Sequence, residues 1–353
     1  MSPCAKEGAS LDCCVAIASS ACRRAAGSPV RCGRGRRPAV PDWIVAVMVV
    51  IAVLHRKKTR QAQYAFWRAR REQWDKWFPE ERLLSRSQFY ERARRLTPLL
   101  KRAIRRLAAH AVRRGWADAR SVAIDKSLVA ARGKKRPYRK QGPVRGVDPD
   151  AAWGYGDHDG WVFGYSYEVV VSAGKQGVEW PLAASVDAAN RSELRSCFDK
   201  LDQLPAVTKY VLADSGYDSN AVGEAVERQP DGRPTGRRFV CPEIPRPQVG
   251  RARQSSSRES LERQRHRRLR DARRKFTQSV RGRQLYRRRK VTVEPFNSRF
   301  KHAFDLNDRV WHWKLLNNQI MILAAMVAYQ VLLTYNHQRR QPHARVIHLI
   351  NEW

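Results

Sequence analysis

The chain has 353 residues, 42% of them hydrophobic, enough for one large folded domain with a smaller one beside it and too apolar for a disordered tail. Its 69 Lys and Arg against 33 Asp and Glu leave a net charge of +36, a field that selects polyanions, with nucleic acid first among them. A basic protein lying on a membrane surface would need an amphipathic helix with a clean apolar face, which the sequence does not offer. Five of the seven cysteines (Cys4, Cys13, Cys14, Cys22 and Cys32) fall in the first 32 residues without the paired spacing of a zinc site, which fits a reduced, cytoplasmic setting.

No periodicity runs through the first 35 or so residues, so residues 1–40, including the basic run Arg34 to Arg37, are expected to be a disordered arm or an over-long translation start. Asp42 reads as the cap of a helix over Trp43 to Leu54, whose run Ile44 to Leu54 is about half the roughly 20 residues needed to cross a bilayer and is therefore a buried helix. Further helices are expected over Thr59 to Trp77, over Phe89 to Leu96, and from Thr97-Pro98 to Arg114, ending at Gly115. Residues 41–115 thus form a small, basic, all-helical unit, equally compatible with a DNA-binding helix-turn-helix and with a plain bundle.

The pattern then changes to strands at Ser121 to Leu128, Trp161 to Ser172 and Glu179 to Val186, a helix at Ser192 to Leu201, and a strand at Lys209 to Ala213. A helix at Asn220 to Arg228 and a short strand at Arg238 to Cys241 follow. The arrangement predicts an α/β fold with a mixed sheet flanked by helices over residues 116–340. Residues 251–290 hold 17 Lys or Arg against three acids, Glu259, Glu262 and Asp271, a local net charge of +14. Such a stretch is either a solvated helix or loop or a phosphate-backbone contact, and its place just before Glu294 favours the contact. Trp313 to Tyr335 is apolar on nearly every side but carries Asn317, Asn318, Gln319 and Gln330, so it reads as a core helix, with a short tail at residues 341–353.

Three acids stand where a sheet could gather them. Asp125 interrupts the apolar strand Ala123-Ile124-Asp125-Lys126, where a buried carboxylate needs a reason. Asp214 ends the strand Tyr210 to Ala213 and is followed by Ser215-Gly216-Tyr217-Asp218, the place where open α/β sheets hold ligands. Glu294 lies on a helix with Val293, Phe296, Phe300 and Phe304 as its apolar stripe, and Lys301, two turns on, shares its face. Carboxylates so gathered suit two-metal phosphodiester chemistry; each alone also reads as a turn cap or a surface ion pair. Asp148, Asp150, Asp157 and Asp159 read as loop acids, Asp187 and Glu193 as caps near the Ser192 helix, and His158, His312 and His337 lack metal-ligand spacing.

The segments around Asp125, Asp214-Ser215-Gly216-Tyr217-Asp218, and the block from Tyr286 through Val293-Glu294 to Lys301 resemble, in order and with spacings of 89 and 80 residues, the three signature regions of insertion-sequence DDE transposases. The resemblance covers roughly residues 41–340. It implies a ribonuclease H-like core in which Asp125, Asp214 and Glu294 hold two Mg²⁺, with Mn²⁺ as a substitute, and in which Lys301 touches the transposon-end DNA. Family spacing puts its tyrosine at Arg287 and its arginine at Lys290, so Tyr286, Arg287, Arg289 and Lys290 are together the expected DNA contacts. It also implies a homodimer or higher assembly in the synaptic complex, a cytoplasmic, nucleoid-associated prokaryotic enzyme, and no membrane. A domesticated relative that grips DNA without cutting it, and another ribonuclease H-like nuclease, are the alternatives.

Overall fold

A computed structural model of the chain describes residues 3–27, 40–137, 142–157, 159–229, 231–243, 261–341 and 346–351. The basic run Arg34 to Arg37, His158 and residues 251–260 of the arginine-rich segment lie outside the described residues. In chain order the helices α1 (Pro3–Ala26), α2 (Asp42–Leu54), α3 (Arg60–Arg68), α4 (Arg71–Trp77), α5 (Arg86–Ala93) and α6 (Thr97–Arg113) precede the sheet. Then come β1 (Ser121–Ala130), β2 (Ala152–Gly156), β3 (Gly160–Ser172), β4 (Pro181–Ala188), α7 (Glu193–Leu201), β5 (Tyr210–Leu212), α8 (Asn220–Glu227) and β6 (Arg238–Val240). Helices α9 (Leu261–Gln278), α10 (Val280–Ala303), α11 (Leu315–Gln338) and α12 (Ile347–Asn351) close the chain.

The sheet is mixed, as the α/β pattern predicts. β1 pairs antiparallel with β3, and β3 antiparallel with β4. On its other edge β1 pairs parallel with β5, which pairs parallel with β6. β3 is long enough to serve two partners besides β1: its residues 165–171 take β4, and its first five residues take β2 as a hairpin.

Register assigns the two faces. Ala123, Leu212 and Val240 are cross-strand neighbours and cluster with Leu285 and Val293 of α10. The alternate positions Val122, Val211 and Phe239 join the larger core that includes Cys197 and Leu201 of α7 and Val222 and Val226 of α8. Odd positions of β1 therefore look toward α10 and even ones toward α7, the two-residue period of a strand.

Some expectations differ in instructive ways. Helix α1 runs through a stretch that reads as aperiodic: Leu11, Cys14, Val15, Ala18, Cys22 and Ala25 are buried at helical spacing, but most of the stripe is small residues that carry little hydrophobic signal. Asp42 does not cap α2; it is the first helical residue, with Pro41 ahead of it, and its carboxylate accepts from Arg92. The span Thr59 to Trp77 divides into α3 and α4 at Ala69 and Arg70. Asp148 is fully buried instead of solvated, accepting from the Tyr165 hydroxyl at 2.7 Å and the Lys314 amide at 2.9 Å.

Helix α2 is buried from Ile44 to Leu54, and α11 from Ile320 to Asn336. Both share one core with α1 and α6, so α1, α2 and α6 pack directly on α11, and α6 also on β4. Helix α11 is long and apolar enough to cross a membrane, but the structure surrounds it with protein: Gln330, at its middle, donates to the carbonyls of Ile104 at 3.0 Å and Pro181 at 2.7 Å. A polar side chain placed so is what a core helix needs.

Candidate active site

Asp125 occupies an odd position of β1, so its carboxylate looks toward α10. Asp214 follows β5, whose Leu212 is level with Ala123, so the second aspartate arrives at the level of the first. Between them lies Arg289 of α10. Its Nη2 is 2.5 Å from Oδ1 of Asp125 and 2.9 Å from Oδ2 of Asp214, so one guanidinium nitrogen serves both acids. Asn297, two turns further along α10, donates to the other oxygen of Asp125 at 2.8 Å, and the Tyr167 hydroxyl donates to Asn297 at 3.1 Å. Asp214 is fixed from its own loop: its Oδ1 accepts from the Gly216 amide at 2.9 Å, capping the 3₁₀ turn Ser215–Tyr217.

These contacts set unequal electrostatics. Burial pushes the Asp125 carboxyl up to about 6, against the pull of Arg289 and with Asp214 adding to the rise. Burial works against the Arg289 guanidinium, but Asp125 and Asp214 outweigh it and hold its pKa above the ordinary value. The Nε of Arg289 is buried with no hydrogen-bond partner among the described residues. A cation pinned by two carboxylates and left incompletely satisfied marks a place where positive charge is required.

Glu193, which its position before a helix marks only as a cap, belongs to this site. It is the first residue of α7, and its Oε2 lies 2.1 Å from where a Cβ at Gly216 would sit, with Oδ1 of Asp214 3.1 Å from the same point. A side chain at 216 would have to push the Glu193 carboxylate aside. Burial first, and Asp214 second, push Glu193 up to about 7, with Lys126 opposing. Spacing carries no hint of this, because Glu193 reaches the sheet end from the α7 side while Asp125 faces α10. The Gly216 that follows Asp214 was the available signal.

The remaining predicted residues surround this pair at greater range. Glu294 is exposed, one helical turn before Asn297, and makes no hydrogen bond or ion pair among the described residues. Lys301 lies one turn beyond Asn297, with Nζ 3.6 Å from Asp159. Lys290 and Arg287 are exposed. Half-buried Tyr286 lines a cavity of about 330 Å³ with Pro242, Thr277, Gln278, Arg283 and Arg287. Arg289, expected as a DNA contact, instead sits on the aspartates.

The arginine-rich helix α9 divides by face. Arg270 pairs with Asp218 at 2.9 Å and Arg273 with Glu227 at 3.1 Å, and Arg265 and His266 both approach Glu224. These cations anchor α9 to α8 and the loop after Asp214. Arg268 and Lys275 point to solvent.

The resemblance implies Mg²⁺ between the aspartates. Two carboxylate oxygens converging on one cationic nitrogen form the hard, all-oxygen donor pair such an ion takes, with Arg289 as its stand-in. Among the described residues no three His, Cys, Asp or Glu side chains are already grouped to hold a metal. The two aspartates therefore fit the ion, and a third carboxylate would have to turn inward.

No curated protein and no solved structure matches the chain. The model of the family described as the transposase DDE domain matches residues 116–330, more than half of the chain and the whole span from before β1 to the middle of α11. The chain belongs to the transposase DDE domain family.

Proposed function

We propose that the protein is a working DDE transposase that cuts DNA at transposon ends and joins the freed 3′ hydroxyl to target DNA, using a ribonuclease H-like core. The sheet order β2, β3, β1, β5, β6, with β4 also paired to β3, with β4, β3 and β1 antiparallel and β1, β5 and β6 parallel, supports that fold. The observation that carries the reading is the convergence of Asp125 and Asp214 on one cation.

In this reading Asp125 and Asp214 hold two Mg²⁺, or Mn²⁺ in their place, with Glu294 as the third acid. The ions, when bound, activate the attacking oxygen and stabilise the leaving one. The chain's own residues do the rest. Asn297 and Tyr167 fix the Asp125 carboxylate, and the Gly216 amide fixes that of Asp214, so neither has to reorganise during the reaction. Arg289 has the place between the two aspartates that a metal held by them would take, and Arg289 would then join Lys290, Arg287, Tyr286 and Lys301 as a contact for the DNA backbone. Exposed cations of α9 and of the helices before residue 115 extend that contact. Joining of two ends calls for a dimer or larger assembly, working on nucleoid DNA in the cytoplasm.

The test uses a supercoiled plasmid carrying the flanking ends, with purified protein and Mg²⁺ or EDTA. Metal-dependent excision or joined products are expected, with Asp214→Asn reducing them by on the order of a hundredfold or more. Tight DNA binding without cleavage in Mg²⁺ would move the protein to the non-cutting alternative, and cleavage without strand transfer to another ribonuclease H-like nuclease.

A further inference from the structure

At the tip of the β2–β3 hairpin two large aromatic rings stand in solvent. Tyr155 and Trp161 are cross-strand partners, 59% and 62% exposed, with ring centroids 5.4 Å apart and planes at 62°. They continue a ladder whose inner rung is Trp153 and Phe163 at 5.5 Å. The inner rung explains itself: Phe163 is buried, and the Trp153 Nε1 donates to the carbonyl of Arg136 at 3.0 Å. The outer rung adds to the fold only the modest stability of a cross-strand ring pair, about 1 kcal/mol or less. A hydrophilic side chain would serve a hairpin tip nearly as well, and two rings left exposed side by side call for an occupant.

The surroundings select one. The loop that Trp153 holds under the hairpin carries Arg132, Lys134 and Lys135, all exposed. At the tip itself the charges are acidic: Asp159, which Lys301 neutralises at 3.6 Å, and exposed Asp157. Cations below and carboxylates beside the rings suit a strand whose phosphates lie on the loop and whose bases reach the tip. A carboxylate repels phosphate but accepts hydrogen bonds from the amino groups of bases. Bases in an intact duplex are stacked on one another, so the rings can take only unpaired ones.

Lys301 also ties the tip to α10, the helix that carries Arg289 and Asn297 to Asp125. At 1.5 Å per residue Lys301 stands about 6 Å along the helix from Asn297 and about 18 Å from Arg289, the two residues of α10 that bind Asp125, so one strand can reach both places. We propose that Tyr155 and Trp161 form a stacking platform for unpaired bases of the DNA strand that runs to the Asp125–Asp214 site. The proposal rests on the transposase reading for its ligand, and it assigns a role to a hairpin that lies outside the three acidic motifs.

The test measures binding of the full chain to a blunt duplex and to the same duplex with a single-stranded tail of about eight nucleotides carrying 2-aminopurine. Wild type is expected to prefer the tailed DNA and to change the 2-aminopurine fluorescence by stacking. Trp161→Ala and Tyr155→Ala are each expected to weaken tailed binding by about tenfold and to leave blunt binding within about twofold, since stacking on one ring contributes on that scale. Trp161→Phe should restore most of the loss, and unchanged melting temperatures would show that the variants fold. Equal affinity of wild type for tailed and blunt DNA overturns the platform alone and leaves the transposase reading standing. So does an alanine effect equal on both DNAs, or one seen only as a change in oligomeric mass, which would make the tip a protein contact. Failure of wild type to bind either DNA overturns the transposase reading and the platform with it.

Discussion

Strand β1 and its neighbour β3 carry buried charge on both faces of the sheet, and the two faces treat it differently. On the α7 side Glu168 accepts from Lys200 at 2.9 Å and from the Ser196 hydroxyl, and both members of the ion pair are 2% exposed. That pair is closed: its partners are on the spot, and solvent has no route to it. On the α10 side Arg289 is 8% exposed but Asp214 is 35% exposed, and one guanidinium is divided between two acids. The first arrangement joins a helix to a sheet. The second is open on one side and holds its cation through two charge-assisted hydrogen bonds from a single nitrogen, an arrangement that suits the exchange of cations proposed above.

Removing one partner from the closed pair gives the largest expected effect on stability. Lys200→Ala leaves Glu168 buried with its charge uncompensated, and should lower the unfolding free energy by about 3 to 5 kcal/mol in urea denaturation. Replacing both, as Glu168→Leu with Lys200→Met, should recover most of that loss, because two apolar chains of similar volume need no counter-charge. If the double variant were as unstable as the single one, Glu168 would serve something beyond anchoring α7.

The open side predicts a smaller loss that metal reverses. Arg289→Gln leaves Asp125 and Asp214 facing each other, and should destabilise the metal-free protein by about 1 to 3 kcal/mol, less than the closed pair because Asp214 is partly solvated. In saturating Mg²⁺ the deficit should shrink or vanish, since a ligand bound only by the folded state adds stability and no longer has to displace a guanidinium. A deficit identical in EDTA and in Mg²⁺ would show that the aspartates take no metal, and the contrast between the two faces would lose its meaning.

Glu193 sharpens the contrast through pH. Its carboxyl is ordinarily near 4.5 and is raised to about 7. Between those values the unfolded chain has released this proton while the folded one retains it, so this group's contribution to stability falls as pH rises from about 4.5 to about 7 and stays low above. Glu193→Gln should therefore gain on wild type across that window, by about 3 kcal/mol at pH 8 in EDTA. Asp125, raised to about 6, bends the curve in the same direction, so some of the slope should survive in the variant. A flat difference between pH 5 and pH 8 would mean that Glu193 is solvated in the free protein.

What the sequence made legible follows from which signals are local. An acid inside an apolar strand and an acid at a strand end are exceptions to a two-residue pattern, so Asp125 and Asp214 stood out. The clamp did not, because Arg287, Arg288, Arg289 and Lys290 look alike in sequence, and only the packing of α10 through Leu285 and Val293 turns Arg289 inward. The hairpin strand β2 was hidden by Gly154 and Gly156, which are depleted in strands. Gly154 is needed there because a Cβ would lie 2.6 Å from the Ala189 carbonyl oxygen. The α1 stripe was hidden in the opposite way, by residues too small to register as apolar.

Helix α9 repeats the contrast between held and free charge at its smallest scale. Dense cationic sequence suggested that the whole segment grips phosphate, yet Arg270 and Arg273 are held by Asp218 and Glu227 at 2.9 and 3.1 Å, while Arg268 and Lys275 are exposed. A cation that neutralises a phosphate releases a counterion, so removing one such cation should reduce the slope of log affinity against log salt by about one. Arg268→Ala and Lys275→Ala are each expected to do so, weakening binding to all duplex sequences alike without changing the melting temperature. Arg273→Ala should instead lower the melting temperature, because Glu227 is left without its cation at the α8 packing surface, and should leave the salt slope within error of wild type. A salt slope reduced by Arg273→Ala as much as by Arg268→Ala would place DNA on the inner face of α9, and the ion pairs to α8 would then be contacts that open when DNA binds.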